Sequence, residues 1–217
     1  AVFDLREQTG FLRNMIVRTT STGEVMLIVV FAHEDIEARK ALLDAVKEQF
    51  AEITSLHYII NGKRNDSISD LDAIHYSGAD CVYEQMEGIK FRISPKSFYQ
   101  TNSEQAYRLY SVVREFADLK GDEVVYDLYT GTGTIGLFLS PKAKKVVGIE
   151  YVKEAIDDAK INAENNNITN SHFYAGDMKD MLTGQFIEEN GHPDLVVLDP
   201  PRAGIHPDVA AVLLEAA

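Results

Sequence analysis

A glycine-rich stretch in the second half of the chain has residue types and a spacing that could bind a nucleotide. In residues 123–136, EVVYDLYTGTGTIG, a β-prone run closes on Asp127, and Gly131, Gly133 and Gly136 follow. Apolar residues at helical spacing come next, so the pattern predicts a strand, a glycine loop and a helix, with backbone that can approach a ligand closely. A glycine turn without a ligand is the alternative.

The distance between the strand and the glycines favours S-adenosyl-L-methionine (AdoMet) over a nicotinamide dinucleotide. In dinucleotide-binding folds the first glycine follows the strand almost directly. Here the residues 127–130, DLYT, stand between them, and an acidic residue ends the strand, as in AdoMet sites. An NAD-dependent enzyme is the outside alternative. It would need an acid–base residue near the cofactor, such as His206, which the sequence GIHP instead makes a turn residue.

Three further acidic residues follow predicted strands. Glu150 ends the second strand, 23 residues after Asp127, where an acid accepts hydrogen bonds from ribose hydroxyls. Asp177, in AGDM, is placed for the adenine or the ribose, with a helix cap as the alternative. Asp199 opens DPPR, and the two prolines fix an extended turn that holds it at the carboxyl edge of the sheet. It could bind a planar base or the methionine ammonium, and Arg202 either a phosphate or an acid of the fold.

Strands and helices alternate in the second half of the chain, which predicts a parallel, doubly wound sheet. A helix with Ser103 as its N-cap comes first. Strand and helix then alternate over 124–128 and 135–139, 145–150 and 152–166, 171–174 and a short helix near 180, and 195–199 and a helix from about 207. Only four sheet strands are present, and the chain stops at 213–217, LLEAA, within the last helix. We therefore expect a truncated sheet.

The first part of the chain is predicted to form a small α+β domain. Its β-rich runs are 11–20, 24–32, 56–60, 73–76, 81–84 and 89–93, and a helix occupies 36–50. The segment 93–102, ISPKSFYQTN, is typical of a linker. The predicted domains are thus 1–93 and 94–217, the second a Rossmann-like AdoMet-binding domain that is incomplete at its C-terminus.

Composition narrows the class of protein. The chain has 217 residues, of which 45% are hydrophobic, and no run of 18 apolar residues or charged leader, so neither a membrane span nor a signal peptide is predicted. Its single cysteine, Cys81, excludes an internal disulfide framework or a cysteine zinc site and fits a reducing cytoplasm. No metal and a monomer are expected. The net charge of −13 argues against non-specific binding of nucleic acid.

A polar segment before the first helix completes a recognisable set of motifs. This segment, 97–102 or SFYQTN, carries amide side chains that could bind a ligand. Together with DLYTGTGTIGLFLS, VVGIEYVKEAIDDAKINAENN and DLVVLDPPRAGIHP it resembles the RNA uracil-5-methyltransferases, which make 5-methyluridine in transfer and ribosomal RNA. The resemblance covers residues 89–210, and the region before it is similar to the RNA-facing central domain of the family.

The resemblance implies a cofactor, a substrate and site residues. The AdoMet contacts of the family fall on Gln100, Tyr129, Glu150 and Asp199, and Asp199 is also expected near the target uracil. The implied reaction is AdoMet-dependent methylation of uracil C5 in RNA, with 23S ribosomal RNA expected as the substrate and transfer RNA as the alternative. Asp127, Gly131, Gly133 and Asp177 complete the predicted cofactor site.

The resemblance also implies catalytic residues that these 217 residues do not contain. In the family a cysteine thiolate adds to uracil C6, C5 then attacks the methyl group, and a glutamate removes the C5 proton. Both residues are expected beyond Ala217. Cys81 is not expected to substitute, because nothing near it would lower the pKa of its thiol. We expect the chain to bind AdoMet without methylating RNA.

Two other functions stay open at this point. The aspartate of DPPR also allows a methyltransferase that acts on another position of a nucleic acid. A non-catalytic scaffold that binds RNA or AdoMet is the alternative from a different class. The acidic composition argues against catalysis on RNA, but it also argues against binding of RNA.

Overall fold

The structure, a computed structural model, describes residues 1–202 and 204–215 and divides into two compact units. One comprises Ala1–Glu84 and Ile93–Lys96, the other Gln85–Arg92 and Ser97–Ala217. The domain boundary expected at residue 93 stays a prediction. The end of the chain at Ala216 and Ala217 lies outside the described residues, as does Ala203.

The first unit is built on a four-stranded sheet in the order β1-β2-β3-β4. The central pair, β2 and β3, is parallel and is connected through α1, and the outer pairs are antiparallel. Because β2 lies inside the sheet, six of its seven residues are buried. The bounds are β1 Leu12–Thr19, β2 Val25–Phe31, α1 Ile36–Gln49, β3 Ser55–Ile60 and β4 Ile74–Gly78.

Two short strands follow, β5 (Val82–Met86) and β6 (Ile89–Ile93), which form a two-stranded sheet. The chain then enters α2 (Ser103–Ala117). The N-cap of α2 is Asn102, not Ser103 as predicted, because the Asn102 carboxamide accepts a hydrogen bond from the Gln105 amide at 3.0 Å. Both are good capping residues, so the sequence alone leaves the choice open.

The second unit contains a fully parallel four-stranded sheet in the order β10-β7-β8-β9. Strand–helix alternation is as predicted, with an additional helix, α6, that the sequence did not reveal. The bounds are β7 Val124–Leu128, α3 Thr134–Leu139, β8 Lys145–Glu150, α4 Lys153–Asn165, β9 Ser171–Ala175, α5 Met178–Met181, α6 Gly184–Asn190, β10 Leu195–Leu198 and α7 Pro207–Glu215.

Helices cover both faces of this sheet. One apolar cluster joins Val125 of β7 to residues of α2, α3 and α4, and the other joins Val124 and Tyr126 to residues of α5, α6 and α7. Since side chains alternate along a strand, β7 is buried along its whole length. The predicted Rossmann-like, doubly wound arrangement is confirmed. Among the described residues, no helix is long and apolar enough to cross a membrane.

Candidate functional site

The glycine loop is a tight turn between β7 and α3. The Gly133 amide donates to the Thr130 carbonyl at 2.9 Å, and Gly131 and Gly133 have left-handed φ angles of 57° and 79°. A Cβ on Gly133 would stand 2.9 Å from the Phe173 ring and 3.1 Å from the Ala159 Cβ, so both the backbone angle and the packing require glycine. On Gly131 a Cβ would meet nothing within 4 Å, so only the backbone angle restricts that position.

The Asp127 carboxylate is hydrogen-bonded to this loop and to the start of α3. Its Oδ2 accepts hydrogen bonds from the Thr130 hydroxyl at 2.5 Å and the Gly136 amide at 2.8 Å. Its Oδ1 is buried and has no hydrogen-bond partner among the described residues. Burial raises the pKa of Asp127 to about 6, and the charges of Asp199 and Glu150 act in the same direction, against the two hydrogen bonds. The contact of Asp127 with a cofactor stays a prediction.

Glu150 ends β8 and contacts the same loop. Its Oε2 accepts from the Gly131 amide at 3.2 Å, and its Oε1 accepts from the Val152 amide at 3.0 Å. The residue is half-buried, at the carboxyl edge of the sheet where ligands bind in such folds. Its carboxylate is therefore fixed in direction while it keeps further acceptor capacity.

A cleft of about 350 Å³, its open mouth included, lies beside the glycine loop. It brings together four of the predicted site residues, which come from distant parts of the sequence: Gln100, Tyr129, Gly131 and Asp199. Asp199 is exposed and has no hydrogen bond or ion pair with a described residue. The remaining lining residues are Phe98, Tyr99, Tyr110, Thr130, Thr132, Thr134 and Ile135.

Tyr129 has a strained backbone between two clefts. Its φ of 64° is left-handed, which is uncommon for a residue other than glycine and is often found at functional sites. Its amide donates to the Ile149 carbonyl at 3.0 Å, which ties the residue to β8. Tyr129 lines both the cleft described above and a second cleft of about 470 Å³, its open mouth included.

The second cleft contains Asp177. The other lining residues are Tyr129, Tyr151, Met178, Lys179 and His206. Asp177 is the N-cap of α5, and its Oδ1 accepts from the Lys179 amide at 3.2 Å. The helix-cap alternative is therefore what the structure contains, while a ligand contact of Asp177 stays a prediction.

Three aromatic residues of the first cleft, Phe98, Tyr99 and Tyr110, were not predicted from the sequence. Phe98 is 70% exposed although it is large and apolar, and Tyr110 is buried on α2. Burial, with a smaller contribution from the Asp199 charge, raises the pKa of Tyr110 to about 12, so it stays neutral. Tyr110 lies on the apolar face of the predicted helix, as a core residue would, so the sequence did not indicate that it lines a cleft. Phe98 lies within SFYQTN, where its exposure could have been suspected.

The remaining candidates lie outside these clefts. Arg202 is exposed and forms no ion pair with any residue that the structure describes. Cys81 is buried in the first unit, with 3% of its surface exposed. Within residues 1–202 and 204–215 no group of His, Cys, Asp and Glu side chains could hold a metal ion.

The second unit has the fold of a methyltransferase domain, and residues 119–206 match the family model of a methyltransferase domain. A protein of Porphyromonas gingivalis described as an uncharacterized RNA methyltransferase is 59% identical over 99% of this chain and 46% of its own length. A mouse protein named tRNA (uracil-5-)-methyltransferase homolog A is 38% identical over 100% of the chain and 37% of its own length.

One solved structure gives the same result. The tRNA (uracil-54, C5)-methyltransferase of Pyrococcus abyssi, in complex with S-adenosyl-L-homocysteine, superposes with a TM-score of 0.77 at 28% identity, over 99% of this chain and 50% of that one. The chain is therefore related to RNA methyltransferases, and the resemblance to the RNA uracil-5-methyltransferases is confirmed. It spans about half the length of the curated relatives that it matches first.

Proposed function

We propose that the protein containing this chain transfers a methyl group from AdoMet to C5 of uracil in RNA. The observation that carries the proposal is the first cleft, in which Gln100, Tyr129 and Asp199 meet the glycine loop at the carboxyl edge of the sheet. Two related proteins with a named substrate are uracil-5-methyltransferases of transfer RNA. The proposed reaction is therefore supported both by the residues of the first cleft and by the names of these two proteins.

The cofactor is AdoMet, and the residues present fit it. The Asp199 carboxylate has no partner among the described residues, and Gly131 leaves open space where a side chain would stand. The charges of Asp199 and Glu150 are close enough to help raise the pKa of Asp127, and a sulfonium cation would offset the repulsion among these carboxylates. When bound, AdoMet supplies an electrophilic methyl group.

The chain's own residues would bind and orient the two reactants. Glu150 would accept hydrogen bonds from the ribose hydroxyls while it holds the Gly131 amide. Gln100 and Tyr129 would contact the methionine end, and the second cleft, with Asp177, would take the adenine. Asp199 would accept a hydrogen bond from the N3–H of uracil, and the exposed ring of Phe98 would stack on a base.

The thiol and the base of the reaction are proposed to lie in the remaining half of the protein. Cys81 is too buried to attack a nucleotide, so this chain alone is expected to bind AdoMet without methylating RNA. Ribosomal RNA stays the substrate expected from the sequence, and transfer RNA, which the names of the mouse and Pyrococcus abyssi proteins give, stays the alternative. A cytoplasmic location and a monomeric state belong to the same proposal.

Calorimetry with AdoMet tests the cofactor site. Replacement of Glu150 by alanine should raise the Kd for AdoMet by about 100-fold, since charge-assisted hydrogen bonds contribute about 1.5–3 kcal/mol. The exposed Glu104, which is on α2 and does not line either cleft, gives the matched control Glu104→Ala. Equal affinities for all three proteins would contradict the assignment.

Release of tritium tests the position of methylation. The full-length protein, incubated with AdoMet and RNA that carries 5-tritiated uridine, should release one tritium for each methyl group incorporated. Methylation without release would show that another position is modified. Binding of AdoMet and RNA without methylation would favour the scaffold alternative.

A further inference from the structure

The buried side of α4 carries a row of polar residues beside the apolar residues that pack on the sheet. Asp158 and Asn162, one turn apart, are 2% and 0% exposed. Asn166, the C-cap residue, continues the same row. Buried polar side chains are costly unless they are hydrogen-bonded, so their partners show what the row does.

Asn162 joins strand β6 to the glycine loop. Its Oδ1 accepts from the Arg92 amide at 2.6 Å, and its Nδ2 donates to the Thr132 carbonyl at 3.2 Å and to the Arg92 carbonyl at 3.4 Å. The next residue after Thr132 is Gly133, whose Cα approaches α4 at Ala159 so closely that a Cβ would be 3.1 Å away. One side chain therefore fixes the loop peptide at the point where the loop touches the helix.

Asp158 fixes the opposite wall of the cleft. Its Oδ2 accepts a hydrogen bond from the Ser97 hydroxyl, and its Oδ1 pairs with the Arg92 guanidinium. Ser97 is itself 4% exposed and directly precedes the residues 98–100 that line the cleft. Two side chains one helical turn apart thus hold both walls.

We propose that Asp158 and Asn162 are positioning residues for the cofactor cleft: they set the distance between the segment 97–100 and the glycine loop. Neither residue lines the cleft, so they act through Ser97 and Thr132. A wall misplaced by a fraction of an ångström lengthens every hydrogen bond made to a ligand. This inference rests on the proposed function, because the ligand for which the walls are set is AdoMet.

Asn166 provides a matched control on the same helix. It forms the same pair of hydrogen bonds with β6 as Asn162, from the Lys90 amide at 2.8 Å and to the Lys90 carbonyl at 2.7 Å. Its Nδ2 also donates to the Asn162 carbonyl at 2.7 Å, and among the described residues it has no hydrogen bond to the glycine loop. Asn162→Ala and Asn166→Ala should therefore lower the Tm of the full-length protein by similar amounts. Only Asn162→Ala should also raise the Kd for AdoMet, by about tenfold, the value of one buried hydrogen bond.

Ser97→Ala tests the second wall with a smaller change. Loss of one hydroxyl preserves the fold, and it should raise the Kd for AdoMet and the KM for AdoMet about fivefold, with kcat and the KM for RNA unchanged. Ser111→Ala, which removes a hydroxyl on α2 that donates to the Tyr107 carbonyl and does not line the cleft, should leave all of these constants unchanged. If Asn162→Ala does not fold, the Ser97 result decides.

The outcomes separate the two proposals. If the unsubstituted protein does not bind AdoMet, the proposed function and this inference both fail. If it binds AdoMet and the Asn162 and Asn166 variants have equal Kd values, or Ser97→Ala binds as well as the unsubstituted protein, the positioning role alone is wrong. A selective rise in Kd for Asn162→Ala and Ser97→Ala supports it.

Discussion

Replacement of Asp127 by asparagine should remove a pH-dependent cost from the folding free energy. The carboxyl group is 1% exposed, and only its Oδ2 is hydrogen-bonded, to Thr130 and Gly136, among the described residues. Asparagine has nearly the same shape and keeps an oxygen acceptor for the Gly136 amide. It places an amide where Oδ1 is without a partner, which costs about 1–3 kcal/mol at every pH.

The pH-dependent part follows from the pKa. Burial raises the pKa of Asp127 from 3.8 to about 6. The folded state therefore binds the proton more tightly than the unfolded state, so this stabilisation is complete below pH 3.8 and is lost as the pH rises through about 6. The loss is roughly 3 kcal/mol, because each pKa unit corresponds to about 1.4 kcal/mol. Asparagine has no such loss.

Urea unfolding of both proteins between pH 4 and pH 8, followed by circular dichroism, measures the difference. The free energy of unfolding of Asp127→Asn, relative to the unsubstituted protein, should rise by about 2.5 kcal/mol over this range, most of it below pH 6. Asp122→Asn, at an exposed position just before β7, is the control and should give a constant difference. A constant difference for Asp127→Asn as well would refute the assignment of a raised pKa.

Other predictions follow from single contacts. Gly133→Ala should lower the free energy of unfolding by about 3 kcal/mol, because the new Cβ would strain the left-handed backbone and collide with the Phe173 ring. Gly131→Ala should lower it by only about 1 kcal/mol, because only the backbone is strained there. Thermal unfolding measures both losses, and equal losses would show that packing at Gly133 is unimportant. In the first unit, burial and, to a smaller extent, the charge of His75 lower the pKa of His57 to about 4, while the Asp80 carboxylate acts in the opposite direction. The unfolded state therefore binds the proton more tightly, so the stability that neutral His57 contributes should be lost as the pH falls from 6.5 towards 4. His57→Gln should reduce that acid sensitivity in urea unfolding, and an unchanged pH profile would contradict it.

The parallel sheet and much of the cleft could be predicted from the sequence, because local patterns determine them. Apolar runs fix the strands, glycines with left-handed angles fix the loop, and the carboxyl ends of parallel strands meet at one edge. Glu150 and Asp199 therefore lie at the expected edge. The placement of Gln100 could not be derived in this way; it came from the resemblance of SFYQTN to a known family.

Helix α6 and the cap of α2 show where local patterns fail. The seven residues of α6 are too few for a clear helical period, and its Phe186 and Ile187 are buried only because the rest of the unit packs against them. Asn102 and Ser103 are both capping residues, and the choice depends on which one has extended backbone. Such positions are determined by the rest of the unit.

The polar row on α4 could not be predicted because its partner is backbone. Side chains four residues apart on a helix are separated by about 6 Å along its axis, and alternate residues of a strand by about 6.7 Å. Asn162 and Asn166 can therefore pair with Arg92 and Lys90 along β6, each amide donating and accepting as a neighbouring strand would. In the sequence the same residues, NAENN, indicate only the end of a helix. Because the helix and strand spacings match, Asn162 and Asn166 can both hydrogen-bond to the edge of β6. The additional bond to Thr132 makes Asn162 also support the cofactor loop.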